Sequence, residues 1–251
     1  MIDEAQARRE ILEAGKRLQQ RFFVAANDGN ISARLEGGRI LITPTGVNKG
    51  DLDARMLLTV DEQGNVLSGD LKPTSEMKMH LAVYGQRPDV EAIVHAHPPT
   101  ATGFATSRIR LDQDVILPEV VFGLGRIGFS EYGTPTTEQV PEAVSREIAD
   151  CDAVLLANHG AMTVGASVMQ AYYRMETLEM YARIRLVTIQ LGGPSALSDP
   201  EIEELFQVRR QRGWGGAPAL EIDPRAVELI SQVVLQVLQA QGTATGSSPR
   251  S

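Results

Sequence analysis

Three of the four histidines in this 251-residue chain stand at the ends of short apolar segments. His95 and His97 follow residues 90–94, and His159 follows residues 153–157 in the same way. Alternate side chains of a strand leave the same face, so His95 and His97 would point in one direction. If the two strand ends lie side by side, three neutral imidazoles converge, and this is the usual ligand set of a catalytic zinc ion with an open fourth position. The pattern predicts a metal site, although a His-x-His pair alone is as well explained by two exposed polar side chains.

A carboxylate and the fourth histidine share one predicted helix, residues 74–84. His80 lies four residues after Glu76, so the two side chains occupy one helix face. Glu76 in the first turn either complements the helix dipole or acts as a base beside the metal, and periodicity alone leaves both interpretations open. His80 is either a fourth ligand or, as we favour, a structural hydrogen-bonding residue.

The elements that must position these residues are a mixture of helices and short strands. Links such as Gly37-Gly38 and Gln63-Gly64-Asn65 are too short for βαβ crossovers and favour antiparallel meanders. The patterns predict helices at 5–25, 74–84, 137–149, 168–191 and 224–241, strands at 31–35, 40–43, 57–60, 66–68, 90–94 and 153–157, and an extended segment at 115–122. We expect a catalytic domain over residues 1–218, followed by an amphipathic helix and a flexible tail over residues 219–251.

Composition excludes several classes of protein. Against 32 acidic side chains stand only 24 basic ones, and a net charge of −8 disfavours a general nucleic-acid binder. No apolar run approaches the roughly 20 residues that span a bilayer, and no signal peptide is visible. The single cysteine, Cys151, can form no internal disulfide. We therefore expect a globular cytoplasmic protein that does not act at a membrane.

Five sequence blocks in a fixed order resemble the class II aldolase and adducin-head superfamily over roughly residues 5–215. The blocks are Gly29-Asn30-Ile31-Ser32, Ile42-Thr43-Pro44-Thr45-Gly46, Pro73-Thr74-Ser75-Glu76, His95-Ala96-His97 and Asn158-His159-Gly160. The resemblance implies a three-layer α/β/α fold around a mainly antiparallel sheet. It also implies a homotetramer with its active sites at subunit interfaces.

The same resemblance assigns roles to individual residues. His95, His97 and His159 would hold Zn²⁺, although three imidazoles also bind Mn²⁺ or Co²⁺. Glu76 would be the catalytic acid/base and would ligate the metal when substrate is absent. The family's phosphate-binding cradle maps onto Asn30, Thr45, Gly46, Thr74 and Ser75, with Asn27 as a weaker assignment.

The predicted activity is that of a zinc-dependent aldolase, closest to the L-fuculose-phosphate aldolase-like enzymes. The substrate would be a ketose 1-phosphate of the L-fuculose or 5-deoxypentulose type, cleaved to dihydroxyacetone phosphate and a short aldehyde. Retro-aldol cleavage leaves an enediolate that a Lewis-acidic metal stabilises, and Glu76 would move the proton at that carbon. Backbone N–H groups and hydroxyls at a helix N-terminus suit a phosphate even in an acidic protein.

The chain departs from the fuculose-phosphate aldolase pattern in one region. Residues 116–122 contain no tyrosine, where those enzymes use one, and no tyrosine follows Tyr181. Glu119 lies 22 residues after His97, about where the related methylthioribulose-phosphate dehydratases carry a catalytic Glu. Glu119 is thus either a second acid/base or an exposed carboxylate. The aldolase-type block around Glu76 argues against a dehydratase, and the 4-epimerases have Asp at that position.

Two further interpretations are weaker. The sequence Gly123-Leu124-Gly125-Arg126-Ile127-Gly128 matches the dinucleotide fingerprint, but Phe129-Ser130-Glu131-Tyr132-Gly133 cannot begin the helix that the fingerprint requires. A non-catalytic adducin-like interaction module would lack the three histidines, and its metal content would distinguish it. Trp214 is expected to have a structural role, with closure over a neighbouring subunit's pocket as the alternative.

Overall fold

The computed structural model of the chain describes residues 2–134 and 137–214. The strands are β1 (Asn30–Arg34), β2 (Ile40–Ile42), β3 (Leu58–Val60), β4 (Val66–Ser68), β5 (Ala92–Ala96), β6 (Ile127–Ser130), β7 (Ala153–Leu156) and β8 (Gly160–Gly165). The helices are α1 (Glu4–Gln20), α2 (Met77–Gln86), α3 (Pro99–Ser107), α4 (Pro118–Gly123), α5 (Gln139–Ile148), α6 (Val168–Gln190) and α7 (Asp199–Gln211).

The eight strands form a single sheet in the order β4-β3-β2-β1-β5-β8-β7-β6. Every neighbouring pair is antiparallel except β6 and β7, so the expected mainly antiparallel sheet is confirmed. Strand β5 lies at the centre, between β1 and β8. Its His95 is directly opposite Asn30 on β1 and Met162 on β8, and this register brings three separate parts of the sequence together.

Alternation along the central strands supplies two cores, one on each face of the sheet. On one face, Ala92 and Val94 of β5 share a buried cluster with residues of α1, α3 and α6. On the other face, Ile93 packs with residues of α2 and α5. His95 leaves β5 on the same side as Ile93, because the two are two residues apart. The three-layer α/β/α architecture is thereby confirmed, and His95 faces the α2 layer.

Several local predictions were wrong. Residues 115–122 were expected to be extended, but Pro118–Gly123 forms α4, whose first residue is a proline with φ already suited to a helix. Buried packing of Val120 and Val121 overrides their β-branched preference for strands. The patterns also missed α3, β6, β8 and α7.

Of the remaining predictions, only those that fall within the described residues can be compared with the structure. No helix begins in the Gly123–Gly128 stretch, where α4 ends and β6 starts at Ile127. The predicted helix 224–241 and the boundary at residue 218 involve residues outside the described ranges, and both stay predictions. Within those ranges, no helix combines the length and the apolar character that a membrane crossing requires.

Candidate active site

The three histidines converge from two neighbouring elements at one end of the sheet. His95 is the penultimate residue of β5, His97 follows the strand by one residue, and His159 lies in the turn that joins β7 to β8. The turn needs Gly160, because a Cβ atom there would stand 2.5 Å from His97 Cδ2. Gly29 meets a similar limit: its φ is +71°, and a Cβ would approach the His95 carbonyl oxygen to 2.8 Å.

One ring nitrogen from each histidine points into a common space. The three ligand atoms lie within 4.8 Å of one another, and His95 Nε2 is 3.2 Å from His97 Nε2. The Nδ1 atoms of His95 and His97 face away from this space and contact acceptors of the protein. His95 Nδ1 is 2.9 Å from the Ala161 carbonyl oxygen, and His97 Nδ1 is 3.6 Å from Asp28 Oδ2. An Nδ1–H that donates to a carbonyl leaves the His95 Nε2 lone pair free for a ligand.

Glu76 completes the cluster from the N-terminus of α2. It is the N-cap residue of that helix, but its side chain makes no capping hydrogen bond. Its Oε2 atom lies 3.2 Å from His95 Nε2, and its Oε1 atom lies 3.1 Å from His159 Nε2. The carboxylate is thus turned toward the histidines and leaves the free N–H groups of its own helix uncapped.

Charge and burial shape the protonation of this cluster. Burial alone would raise the pKa of Glu76, but the adjacent His95 and His159 rings hold the pKa of this carboxyl far below its usual range. Burial, together with the neighbouring His95 and His159, lowers the pKa of His97 to about 4. Burial opposes the charged form of His95, but the adjacent Glu76 carboxylate outweighs it and raises the pKa of that ring. A divalent cation binds the ionised carboxylate and the neutral form of each ring, so it would replace the proton between these groups.

The side chains present fit a divalent metal. Two imidazole lone pairs facing each other at 3.2 Å repel unless a proton or a cation lies between them. That separation is close to the roughly 3.3 Å expected for two nitrogens on one tetrahedral zinc ion. Glu76 Oε1 is buried, and within the described residues it makes no hydrogen bond of normal geometry, although His159 Nε2 lies 3.1 Å away. A cation would satisfy all of these atoms at once.

A cleft of about 200 Å³ opens beside the histidines and contains most of the predicted cradle. Its lining includes predicted phosphate-binding residues from three loops together with the reacting groups, namely Asn27, Asn30, Thr45, Thr74, Ser75, Glu76, His97 and His159. Gly46 adjoins Thr45 with a φ of +74°, and a Cβ there would meet nothing within 4 Å. The structure brings these residues together, and their binding roles stay predictions.

Behind the cleft lies a buried lysine that sequence reasoning missed. Lys49 is 1% exposed, and its Nζ donates to the carbonyl oxygens of Asn27 (3.0 Å) and Val47 (2.5 Å). Burial lowers the pKa of Lys49 to about 8. The lysine joins the loop of Asn27 to the loop that follows Gly46. In the sequence, Lys49 was marked only by its position three residues after Gly46 of the predicted cradle.

His80 is separate from the metal cluster. It is fully buried, with Nε2 2.5 Å from Asn30 Oδ1 and Nδ1 2.7 Å from Ser32 Oγ. Burial lowers the pKa of His80 to about 3, so the ring is neutral. The expected structural hydrogen-bonding role describes these contacts better than a ligand role does.

The loop after His97 is held by a carboxylate from α6. Glu179 is 1% exposed and accepts from the backbone N–H groups of Thr100 and Ala101, the first free donors of α3. It caps that helix from outside the local sequence, a role with no local motif. Asp28, which orients His97, was also missed, because in sequence it resembled only a turn residue.

Two candidates lie elsewhere. Glu119 of α4 lines a separate cavity with Phe23, Glu179 and Tyr181, so within one chain it is not brought to the histidines. Its role as a second acid/base stays a prediction. Trp214 packs edge-to-face against Phe122, with ring centres 5.6 Å apart, at the opposite end of the sheet.

Comparison with known proteins gives a consistent result. The model of the family described as "Class II Aldolase and Adducin N-terminal domain" matches residues 9–186. A 3-oxo-tetronate 4-phosphate decarboxylase from Haemophilus influenzae is 32% identical over 199 residues, 78% of this chain and 93% of that protein. An L-fuculose phosphate aldolase from Methanocaldococcus jannaschii is 32% identical over 182 residues, 72% of this chain and 97% of that protein. A solved structure of an L-fuculose 1-phosphate aldolase has a TM-score of 0.77 at 29% identity, covering 84% of this chain and 98% of that one.

Proposed function

The chain belongs to the class II aldolase and adducin family, and on that premise we propose that it is a metal-dependent lyase that breaks a carbon–carbon bond in a small sugar phosphate. The observation that carries this proposal is the convergence of three imidazoles and one ionised carboxylate on a small cleft. An adducin-like interaction module has no need of that arrangement.

His95, His97 and His159 would hold the cation, with Glu76 as a further ligand when substrate is absent. Zn²⁺ is the proposed ion, and Mn²⁺ or Co²⁺ are the alternatives that the same ligands accept. A divalent cation there would supply Lewis-acid stabilisation of negative charge on the substrate's oxygens. Ala161 and Asp28 fix the orientation of the rings, because each contacts the nitrogen that faces away from the cluster.

Glu76 would move the proton. Its carboxylate borders the cleft, and its depressed pKa makes it an acceptor at neutral pH. When the carbon–carbon bond breaks, the remaining three-carbon fragment must be protonated at the carbon that lost its partner. The ionised carboxylate would first take the proton of the substrate hydroxyl whose carbon becomes the aldehyde, and would then deliver that proton to the carbon that lost its partner; the reverse reaction runs through the same two transfers.

The substrate's phosphate would bind among the hydroxyls of Thr45, Thr74 and Ser75, near the backbone of Gly46. Thr74 and Ser75 precede Glu76, the N-cap residue of α2, at a helix N-terminus where backbone N–H groups and the helix dipole favour an anion. Lys49 would add a positive charge behind the same loops at pH values below its pKa of about 8. A ketose 1-phosphate cleaved to dihydroxyacetone phosphate and a short aldehyde is the proposed reaction.

A second candidate is decarboxylation of a 3-oxo acid phosphate, because relatives of equal similarity bear that name. Loss of CO₂ leaves the same kind of negatively charged fragment as retro-aldol cleavage, so the same residues serve both reactions. The missing tyrosine in residues 116–122 also separates this chain from the fuculose-phosphate aldolases.

The deciding experiment is a product assay on the metal-loaded protein. Ketose 1-phosphates would be scored for dihydroxyacetone phosphate, and 3-oxo acid phosphates for CO₂, each with and without chelator. Chelator-sensitive release of either product establishes a lyase and selects between the candidates. Glu76→Gln should retain the metal and lose about 10²–10⁴-fold in kcat, the range for general acid–base catalysis. Wild-type turnover in that variant would remove Glu76 from the mechanism.

We also propose a homotetramer with interfacial active sites. Phe22 supports this, because it is 80% exposed beside Phe23, whose carbonyl oxygen accepts from the His97 backbone N–H. Light scattering would give the assembly mass directly, and a monomer with full activity would exclude an interfacial site.

A further inference from the structure

A buried line of hydrogen bonds leads away from Glu76 between α2 and β1. Glu76, His80 and Tyr84 are spaced four residues apart along α2 and its cap, and Asn30 and Ser32 are two apart on β1. Four helical residues advance about 6.0 Å and two strand residues about 6.6 Å. The two spacings nearly match, so side chains of helix and strand meet in alternation along the line.

The contacts along this line are short and sealed from solvent. Asn30 Nδ2 is 2.7 Å from Glu76 Oε2, and Asn30 Oδ1 is 2.5 Å from His80 Nε2. Ser32 Oγ is 2.7 Å from His80 Nδ1 and 2.8 Å from Tyr84 Oη. Asn30, Ser32, His80 and Tyr84 are each between 0 and 5% exposed.

The Asn30 amide fixes the direction of every bond in the line. Its Nδ2 atom can only donate, and it faces Glu76 Oε2. The amide oxygen of Asn30 then faces His80, whose Nε2 must carry a proton and donate. In a neutral ring, Nδ1 is the acceptor, so Ser32 donates to it. The Ser32 oxygen in turn accepts from Tyr84.

We propose that Asn30, His80 and Ser32 are positioning residues that hold the Glu76 carboxylate in one orientation against His95 and His159. The inference rests on the proposed function, because it concerns the residue that moves the proton there. It also adds a role for Asn30: one amide N–H and the amide oxygen are engaged inside the protein, and the second N–H stays available on the side of the cleft.

A graded set of variants in the full-length, metal-loaded protein tests the proposal. Hydrogen bonds to a charged group are worth more than neutral ones, so kcat should fall by about 100-fold in Asn30→Ala, about 10-fold in His80→Leu and about 3-fold in Ser32→Ala. KM should stay within about 2-fold in His80→Leu and Ser32→Ala, because neither side chain lines the cleft. His80→Gln keeps a donor near Nε2 and should recover most of the loss in His80→Leu.

The matched control is Thr163→Val on β8. Thr163 is fully buried, and its hydroxyl donates to the Ala171 carbonyl at 2.7 Å, away from the line. Its loss removes a buried hydroxyl as Ser32→Ala does, but should leave kcat unchanged. Equal losses in Ser32→Ala and Thr163→Val, or losses in KM alone along the series, would overturn the positioning role.

A second readout separates this inference from the proposed function. Nitrogen NMR of the His80 ring should show a neutral ring protonated at Nε2, and Asn30→Ala should expose that proton to solvent exchange. Protonation at Nδ1 would overturn the inference whatever the activity. A wild-type protein with the predicted tautomer but no lyase activity would support the hydrogen-bond line and refute the proposed function. Should His80→Leu fail to fold, His80→Gln and the NMR result decide.

Discussion

Two buried clusters of charged side chains occupy opposite ends of the central strands. At one end, the three histidine nitrogens and Glu76 converge on a cleft of about 200 Å³. At the other end, Asp152 accepts from Arg87, Arg174 and Arg209, beside a cavity of about 610 Å³.

The two ends differ in how completely their buried polar groups are hydrogen-bonded. All five N–H groups of Arg87 have acceptors, on Asp89, Asp152 and two carbonyl oxygens. At the cleft end, by contrast, acceptors face acceptors, and a buried carboxylate oxygen makes no hydrogen bond of normal geometry among the described residues. If the active site were identified by cavity volume, the Asp152 end would be chosen over the end that holds the histidines. Incomplete pairing of buried polar groups selects the cleft, because such groups are costly unless a ligand completes them.

The largest contrast between the ends should come from His97→Ala. Removing one of three imidazole ligands should strip the metal during dialysis and lower activity by about 10⁴-fold or more, because a bound metal supplies several kcal/mol of transition-state stabilisation. Elemental analysis, circular dichroism and the product assay would be run together. Full metal content with activity retained would show that the cleft is not the metal site.

At the opposite end, Asp152→Asn should instead act on stability. Three guanidinium groups would share an uncharged partner, and breaking a buried ion pair costs about 3–5 kcal/mol of unfolding free energy. Urea titration measures the loss, and metal per folded chain should not change. Glu203→Gln, which breaks the exposed pair with Arg210, is the control and should cost under about 1 kcal/mol. Similar costs for both variants would contradict the distinction between the ends.

Lys49 should make the stability of the cleft end depend on pH. Its charge is buried there, and its hydrogen-bond partners are carbonyl oxygens. Its folded pKa of about 8 lies below the ordinary value of 10.5, so between these pH values the unfolded chain binds more protons. The free energy of unfolding should therefore rise with pH over that window, by about 3 kcal/mol relative to Lys49→Met. Below pH 8 the difference between the two proteins should be flat. A flat difference up to pH 10.5 would mean that Lys49 is not desolvated.

The smallest expected effect is stabilisation by the metal itself. At about 100 times the dissociation constant, a ligand that binds only the folded state adds about 2.7 kcal/mol to the unfolding free energy. Thermal scans with Zn²⁺ and with chelator should separate for the wild type and for Glu203→Gln. They should coincide for His97→Ala. Separation of equal size in His97→Ala would place the metal elsewhere.

The sequence contained most of the cleft but little of the opposite end. His95, His97 and His159 were visible because each stands at or just beyond the end of a short apolar strand, and the shared face of Glu76 and His80 followed from helical spacing. The Asp152 cluster draws its arginines from positions 87, 174 and 209, and no local pattern connects them. The contact of His80 with Ser32 likewise depends on how α2 is placed against β1, which the sequence does not reveal.

In the fold, prediction failed mainly where tertiary contacts override local preference. Residues 118–123 are helical despite their Val-Val pair, since Arg209 of α7 donates to the carbonyl oxygens of Val121 and Phe122. Strand β8 was missed because its glycine and alanine content does not resemble a strand, although its residues 161–165 pair with β5.

The pairing of β5 with β8 also has a consequence for how the protein is made. His97 and Gly160 come together only after β8 has paired with β5, and His159 lies 62 residues after His97 in the chain. A chain emerging from the ribosome therefore carries two of its histidines long before the third, and no local hairpin can assemble the set. Contacts of this range form late and slowly. The complete set of metal ligands would thus form only when folding is complete. A chain whose synthesis stops before the turn between β7 and β8 would lack His159 and would bind the ion more weakly.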